Sequence, residues 1–302
     1  MKKALPPIIV LLVMIGIYIA YQAEEARRTI GPTKPTVRLV YVEWSSATAS
    51  TNVIRAVIQE KLGYPCTASP VSAAAMFQSI ASGDQDAMTC AWLPVTHRQY
   101  MDSVSGQVKD LGINLSGTRI GLVVPEYVDI YSIDDLRLHA EEFDNQIIGI
   151  DPGAGIMEKT EQAIDQYGLQ EFTLMEGSGA TMTAALDGAI QQGEWVVVTG
   201  WTPHWMWNRY ELKYLQDPKK VYGEAGEVHT IARIGLKNDM PEIYQFLTQF
   251  KWTPEDMQEV MAMNRVEGTT PYENAVKWIN ENPELVSQWL AGITEEVTEY
   301  AE

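Results

Sequence analysis

Tryptophan residues stand at the ends of three predicted strands of this 302-residue chain. Trp44 follows the run VRLVYVE, Trp92 follows DAMTCA and Trp201 follows WVVVTG. An indole ring presents a negative π face, which attracts a cation by about 0.5–2 kcal/mol for each contact. A quaternary ammonium cannot donate a hydrogen bond, so several rings around one cavity are well suited to bind it. The spacing predicts an aromatic site for a cationic group, although any single one of the nine tryptophans is more often a packing residue.

Two further tryptophans, Trp205 and Trp207, lie in the segment GWTPHWMWNRY at residues 200 to 210. We expect these two rings to pack the segment against the rest of the protein, which leaves Trp201 to face a ligand. His204, in the same segment, is expected to brace its own loop. The cluster of tryptophans is therefore interpreted as one ligand-contacting ring and two supporting rings.

A glycine-rich turn after another predicted strand offers the opposite chemistry. In DPGAGIM, Gly153 and Gly155 allow the backbone to approach a ligand, and a helix is predicted to begin at about Met157. The N–H groups and the positive dipole end at a helix N-terminus attract a carboxylate or a phosphate. His97 lies five residues after Trp92 and is placed to add a donor beside the same cavity. These residues predict an anion-binding part of the site.

Sequence motifs for catalysis are absent. The sequence has no Cys/His spacing typical of zinc sites, no GxSxG, no Walker loop and no HExxH. Asp84 and Asp86 in SGDQDAM are interpreted as a solvated turn rather than as a metal site. An extracytoplasmic hydrolase that uses His97 or His204 as a base is an alternative, but neither histidine has a plausible nucleophile beside it. We predict a binding protein that has no catalytic residues, metal or cofactor.

Charge and the N-terminal segment restrict the partners and the location. The formal charge is −18, which disfavours nucleic acid, because binding to nucleic acid depends on clustered Lys and Arg. Lys2 and Lys3 precede a run from Leu5 to Tyr21 that contains no charged residue. That pattern is typical of an export signal and has about the minimum length for a membrane span. We favour an uncleaved membrane anchor over a cleaved signal, with a tether up to residue 37 and the remainder outside the cytoplasmic membrane.

Strands and helices alternate along the exported part and predict a parallel sheet. Strands are predicted at 37–44, 66–71 and 86–95, with the first lying between the other two, as in doubly wound sheets. Cys66 and Cys90 then have a strand between them and are about 9–10 Å apart, so buried thiols are favoured over a disulfide. The pattern restarts after Gly117, with strands at 119–128, 147–150, 194–201 and 228–236 and amphipathic helices beyond. Two such units predict two lobes, and ligands of α/β sheets bind at strand carboxyl ends, in this case in the cleft between the lobes.

Five segments of the chain, in order, resemble one known family. They are AWLPVTH (91 to 97), GLVVPEYV (121 to 128), GIDPGAGIM (149 to 157), ATMTAAL (180 to 186) and VVVTGWTPHWM (196 to 206). Together they are similar to the glycine betaine-binding proteins of ABC importers, and the likeness extends from about residue 38 to 292. The resemblance implies a two-lobed periplasmic-binding-protein fold of type II that closes over its ligand. The lobes are expected at 38–120 with 233–302, and at 121–232.

The resemblance also assigns roles to individual residues. It implies that Trp44, Trp92 and Trp201 surround the trimethylammonium group of a betaine. It implies that the carboxylate accepts hydrogen bonds from the backbone of Gly155 and Ile156 and from the side chain of His97. Glycine betaine is the expected ligand and proline betaine the next, with a choline or carnitine receptor and a sensory input domain as alternatives. The expected partners are a permease and an ATPase subunit.

Overall fold

The computed structural model describes residues 34–293 of the chain. The predicted anchor from Leu5 to Tyr21 lies outside the described residues. Within residues 34–293, no helix combines the length and the apolar character that a membrane span requires.

The first lobe begins with a parallel arrangement of three strands. They are β1 (Val37–Tyr41), β2 (Cys66–Pro70) and β3 (Ala87–Leu93), in the order β2-β1-β3. Helices α1 (Ser45–Ala56), which continues as a π-helical turn over Val57–Lys61, and α2 (Ala73–Ser82) connect them. The predicted position of the first strand between the other two is confirmed. Cys66 on β2 and Cys90 on β3 are both free, buried thiols with β1 between them.

One long strand belongs to both sheets of the molecule. β4 (Val108–Pro125) pairs over its first part with β9 (Gly226–Arg233), which in turn pairs with β3. Its last part, from residue 119, pairs with β7 (Val198–Thr202) and β8 (Leu212–Tyr214). The register between β4 and β9 shifts at several points, and Gly112 and Gly117 have positive φ angles of 99° and 82°. The strand is therefore irregular where it leaves the first sheet.

Strand β9 pairs with strands of the first sheet. Residues 226–232 were assigned to the second lobe, but they pair with Ala87–Leu93 and with the first part of β4. After β8 the chain returns to the first sheet. The polar segment between β8 and β9 gives no sign of this return in the sequence. β9 is therefore a strand of the first lobe, inserted between β3 and β4.

The second lobe is built on the order β4-β7-β5-β6. β5 (Gln146–Ile148) and β6 (Thr173–Met175) are short and parallel, and β5 is parallel to β7. The helices of this lobe are α4 (Gly155–Tyr167), α5 (Gly179–Gln192) and α6 (Met206–Arg209), with 3-10 turns at Ile133–Leu138 and Glu141–Phe143. Helix α3 (Arg98–Ser103) precedes β4 in the first lobe. Together the two sheets form the predicted two-lobed α/β fold.

Helices after β9 cover the first lobe. They are α7 (Leu236–Asp239), α8 (Pro241–Gln249), α9 (Pro254–Met263), α10 (Pro271–Glu281) and α11 (Pro283–Trp289). The helices α9 and α10 each begin with a capping box and a proline in the first turn, which satisfies the free N–H groups and fixes the start. Trp278 and Trp289 are fully buried among these helices. These two rings are core residues, which agrees with the expectation that any single tryptophan is more often a packing residue.

Asp86 is buried, which corrects its interpretation as part of a solvated turn. Its carboxylate accepts hydrogen bonds from Arg38 Nη2 at 3.0 Å and from Arg233 Nε at 2.7 Å. Burial raises the pKa of this carboxyl, but the hydrogen bonds from the two arginines outweigh burial and hold the pKa below its usual value. The carboxylate thus ties β1 to the end of β9, through partners too distant in the sequence to be recognised in SGDQDAM.

Candidate ligand-binding site

One cavity collects all six predicted site residues. Its lining includes Trp44, Trp92, His97, Gly155, Ile156 and Trp201. The other lining residues are Ser46, Thr96, Ile120, Ile150 and Ala154. The lining therefore joins residues of the first lobe to residues of the second, and it includes no Asp, Glu, Lys or Arg.

Three separate elements position the tryptophan rings. Trp44 is the N-cap residue of α1, directly after β1, and Trp92 lies near the carboxyl end of β3. Trp201 lies in β7 opposite Ile120 of β4, so it comes from the second lobe. Each of the three residues is less than a tenth exposed. Strand ends thus bring two rings from one lobe and one ring from the other to a single cavity.

Asp151 orients one of these rings, a role that the sequence analysis did not assign. The indole Nε1 of Trp44 donates a hydrogen bond of 2.8 Å to Asp151 Oδ2. The same ring stacks on the imidazole of His97, with centroids 5.4 Å apart and an angle of 22° between the planes. Asp151 begins the DPGAGIM turn of the second lobe, so this hydrogen bond joins the lobes. The DPGAGIM motif was recognised in the sequence, but the hydrogen bond that Asp151 accepts from Trp44, the N-cap residue of α1, was not.

His97 is a neutral histidine whose free nitrogen is buried at the cavity. Its Nδ1 accepts a hydrogen bond of 3.0 Å from the backbone N–H of Trp92, so the ring proton is on Nε2. Burial lowers the pKa of His97 to about 3, which keeps the ring uncharged at neutral pH. Its Nε2 is buried and has no hydrogen-bond partner among the residues that the structure describes. A buried donor without a partner is costly, and a ligand oxygen would satisfy it.

The N-terminus of α4 supplies backbone donors to the same cavity. This helix begins at Gly155, two residues before the predicted start, and its N-cap residue Ala154 has no side chain that could cap it. The first N–H groups of a helix have no acceptor within the helix, so those of Gly155 and Ile156 need one from elsewhere. A side chain at position 155 would overlap the carbonyl oxygen of Thr96 in the first lobe. Gly155 is therefore required because the two lobes approach each other there.

The segment after β7 is held by its own aromatic residues. Trp207 Nε1 donates a hydrogen bond of 2.8 Å to the carbonyl oxygen of Trp201. His204 Nδ1 accepts one of 3.2 Å from the backbone N–H of Met206, and its ring lies 5.2 Å from that of Trp205. These contacts agree with the predicted role of Trp205, Trp207 and His204 in supporting the loop.

The cavity combines aromatic faces with N–H donors and has no ionised side chain in its lining. Such a site suits a small solute that carries a cationic group and an anionic group but little net charge. A two-lobed α/β fold with its lobes in contact around a buried site of this kind defines the class of solute-binding proteins.

The chain belongs to the family of substrate-binding domains of ABC-type glycine betaine transport systems, which residues 35–281 match. Proteins of this class are solute-binding proteins and not enzymes. The resemblance found in the five sequence segments is therefore confirmed.

Individual relatives agree with this family. The glycine betaine/carnitine transport binding protein GbuC of Listeria monocytogenes is 48% identical over 155 residues, which is 51% of this chain and 51% of that protein. The chain thus matches about half the length of this relative. The structure of lactococcal OpuAC, closed and complexed with glycine betaine, has a TM-score of 0.81 and 40% identity over 85% of this chain and all of that one. A choline-binding protein of an ABC transporter, in complex with choline, has a TM-score of 0.79 and 27% identity over 85% of this chain and 92% of that one.

Proposed function

We propose that the protein is the extracytoplasmic substrate-binding subunit of an ABC importer for compatible solutes, with glycine betaine as its ligand and proline betaine as the next. The observation that carries the proposal is the composition of one cavity. Trp44, Trp92 and Trp201 line it together with the buried Nε2 of His97 and the free amides at the start of α4.

The three indole rings bind the trimethylammonium group. This group has a diffuse charge and no N–H, so it is bound by cation–π attraction and by the exclusion of water. The three rings are less than a tenth exposed, which strengthens the attraction because there is little water around them to screen it. The hydrogen bond from Trp44 to Asp151 fixes one ring through its edge, and the face that is not stacked on His97 is left for the ligand.

The carboxylate of the betaine is bound by the three donors. His97 Nε2 and the amides of Gly155 and Ile156 come from different lobes, so one anionic group satisfies donors on both sides of the cleft. Hydrogen bonds to a charged group are each worth about 1.5–3 kcal/mol. A ligand that makes contacts on both sides stabilises the closed form over the open one.

We assign the lobes from the register of β4. The first lobe comprises residues up to 118 together with residues from 226 onward, since Thr118 is paired with Gly226. The second comprises residues 119–225, since Arg119 is paired with Thr202 of β7. The closed form is proposed to dock on a permease and its ATPase, and the segment from Leu5 to Tyr21 to anchor the protein in the cytoplasmic membrane.

A choline receptor is the second candidate, favoured by the similarity to the choline-binding structure. Carnitine is a further candidate because of the relative from Listeria. The three donors discriminate against choline, because its single uncharged hydroxyl oxygen cannot accept from all three N–H groups as a carboxylate can.

The test is a calorimetric titration of glycine betaine, proline betaine, choline, carnitine and proline into the wild type and into W92A and W201A. Glycine betaine should bind most tightly, and each substitution should weaken its binding by about 1–3 kcal/mol, because ring area and cation–π attraction are lost together. Wild-type affinity in both variants would mean that the aromatic site is elsewhere. Tighter binding of choline than of betaine would favour the second candidate.

A further inference from the structure

Arg265 of the first lobe contacts a tryptophan of the second. Its guanidinium carbon lies 4.6 Å from the centroid of the Trp205 ring. Arg265 follows α9, which packs on α1 of the first lobe, whereas Trp205 follows β7 of the second. Both residues line a groove that also includes Thr48 of the first lobe and Thr183 of the second. The contact therefore forms where the lobes meet, outside the set of residues that line the ligand cavity.

The segment that carries Arg265 is fixed by a buried amide. Asn274 of α10 is 5% exposed, and its Nδ2 donates hydrogen bonds of 3.0 Å to the carbonyl oxygen of Met263 and to Thr269 Oγ1. These bonds hold the turn between α9 and α10 on both sides of Arg265. In the described part of the chain no carboxylate forms an ion pair with Arg265, in contrast to Arg38 and Arg233. Its charge is thus available to the indole face.

Trp205 connects this contact to the aromatic site. Its ring lies 5.2 Å from that of His204, and the His204 ring lies 4.6 Å from Trp201, edge to face. Arg265 is therefore separated from a proposed ligand-contacting ring by two ring contacts. A cation held on Trp205 stabilises the position of the segment that supports Trp201.

We propose that Arg265 is a positioning residue that holds the lobes closed through Trp205 and thereby slows release of the ligand. This inference rests on the proposed function. The contact requires the two lobes to be together, so it favours the closed form and leaves the first encounter of ligand with the open form unchanged. Because Arg265 is absent from the lining of the ligand cavity, it should slow the release of every ligand by the same factor.

The chain offers a matched control. The guanidinium carbon of Arg55 also lies 4.6 Å from a ring centroid, that of Tyr272, but both residues belong to the first lobe. R55A removes a cation–π contact of the same length that does not cross the cleft. The side chain of Arg265 is exposed, so R265A should leave the thermal unfolding of the ligand-free protein unchanged.

The experiment measures the dissociation rate of glycine betaine by stopped-flow displacement in the full chain. R265A should release it about 2- to 6-fold faster than the wild type, the range expected for an exposed cation–π contact. R265K, which keeps the charge, should lie between the two, and R55A should match the wild type. The ratio of choline to betaine affinity should stay the same in R265A, and adding R265A to W205L should have no further effect.

Each other outcome contradicts the inference. A rate in R265A equal to that in R55A would show that no closure contact exists, and a changed ratio of choline to betaine would show that Arg265 acts at the ligand. If the wild type binds no betaine, the proposed function fails, and the contact is then tested without ligand. Single-molecule FRET between dyes on the two lobes should show longer distances in R265A than in R55A, and equal distances would overturn the proposal.

Discussion

We propose that His97, which is buried beside the cavity, acts as a fixed donor rather than as a base. The backbone N–H of Trp92 occupies Nδ1 of His97, which leaves the proton on Nε2, and burial keeps the ring neutral. The same arrangement would be expected of a structural histidine if Nε2 had a protein partner. The buried Nε2 without a partner is what indicates a ligand oxygen.

Replacing His97 should separate the two ends of the ligand. H97A removes one donor to the carboxylate but leaves the rings and the amides of Gly155 and Ile156. Glycine betaine should lose about 1.5–3 kcal/mol, the range for a hydrogen bond to a charged group, and choline far less. Titration of both ligands into both proteins measures the difference. Because the pKa of His97 is about 3, the loss should be the same at pH 5 and pH 8.

Equal losses for choline and betaine would show that His97 supports the shape of the site and does not bind the carboxylate. A loss that grows between pH 8 and pH 5 would mean that the imidazole is charged in that interval, against the pKa that its burial produces.

At the scale of elements, the start of α4 lies close to the other lobe and also supplies backbone N–H donors. Gly155 has no positive φ, so its importance lies in the space occupied by Thr96 of the other lobe. The helix therefore delivers its first amides to the cavity only if this position lacks a side chain. This reason differs from the one in the sequence analysis, where the glycine was expected to allow a ligand to approach.

Substitution of Gly155 should impair closure without impairing the fold. G155A introduces a methyl group that meets the backbone of Thr96, and overpacking of this kind costs about 1–3 kcal/mol. Affinity for glycine betaine should fall by that amount, as measured by calorimetry, while the melting temperature without ligand stays the same. G188A is the control, because Gly188 also lies within a helix, α5, and has nothing within 4 Å of an added side chain.

If G188A weakened binding as much as G155A, the effect would come from the helices rather than from the contact between lobes. A lowered melting temperature in ligand-free G155A would place the clash inside one lobe.

The buried ion pairs of Asp86 should matter for stability and leave binding unchanged. D86N keeps the shape but removes the carboxylate that Arg38 and Arg233 share, so Arg233 keeps only its ion pair with Asp239. The loss should be about 1.5–3 kcal/mol, the range for a hydrogen bond to a charged group. Urea unfolding should show this loss, with glycine betaine affinity unaffected. D102N is the control, since Asp102 and Arg98 form an exposed pair, worth about 1 kcal/mol or less.

Acid should remove the difference between D86N and the wild type. The pKa of Asp86 is lower in the folded state than in the unfolded state, so its contribution is present above the unfolded value. The contribution is lost as the pH falls through the folded-state pKa. A difference that persisted undiminished at that pH would assign the effect to packing and not to charge.

Strands and helices with a clear hydrophobic periodicity were predictable from the sequence, and irregular ones were not. β1, β2 and β3 are short hydrophobic runs between helical segments, and their order follows from chain crossover rules. The first part of β4 was missed, because VKDLGINLSG has polar residues and two glycines that interrupt any pattern. Helix α5 was quoted as a motif but not predicted as a helix, since its threonines and glycines weaken the helical signal.

The site was predictable to the extent that its residues sit at strand ends. Trp92 and Trp201 were found from that rule, because carboxyl ends of strands meet at one edge. Asp151 and Arg265 act through Trp44 and Trp205, which lie far from them in the sequence, and no local pattern marks such pairs.

 The separation of Asp151 from Trp44 is 107 residues, so only the folded chain shows that they meet.

At the scale of the whole molecule, we expect the N-terminal segment to determine where the protein works. If Leu5 to Tyr21 is an uncleaved anchor, the mature protein should sediment with membranes and keep its N-terminus. Intact-mass measurement and N-terminal sequencing check this. A chain that begins near residue 24 would instead identify the segment as a cleaved signal. Removal of residues 1–35 should leave a ligand-competent protein, because the first buried strand, β1, begins at Val37.

Strand β4 has a consequence for how the lobes separate. Its residues on either side of 118 are hydrogen-bonded to different partners, β9 on one side and β7 on the other. Any rotation between the lobes has to be absorbed by a few backbone dihedral angles at the two crossings, near Gly117 and near Gly226, where the ladder is already irregular. Release of a solute then requires contacts across the cleft to break, whereas the hydrogen bonds within each sheet stay intact. A carrier built in this way can open and close through many transport cycles with both of its lobes intact.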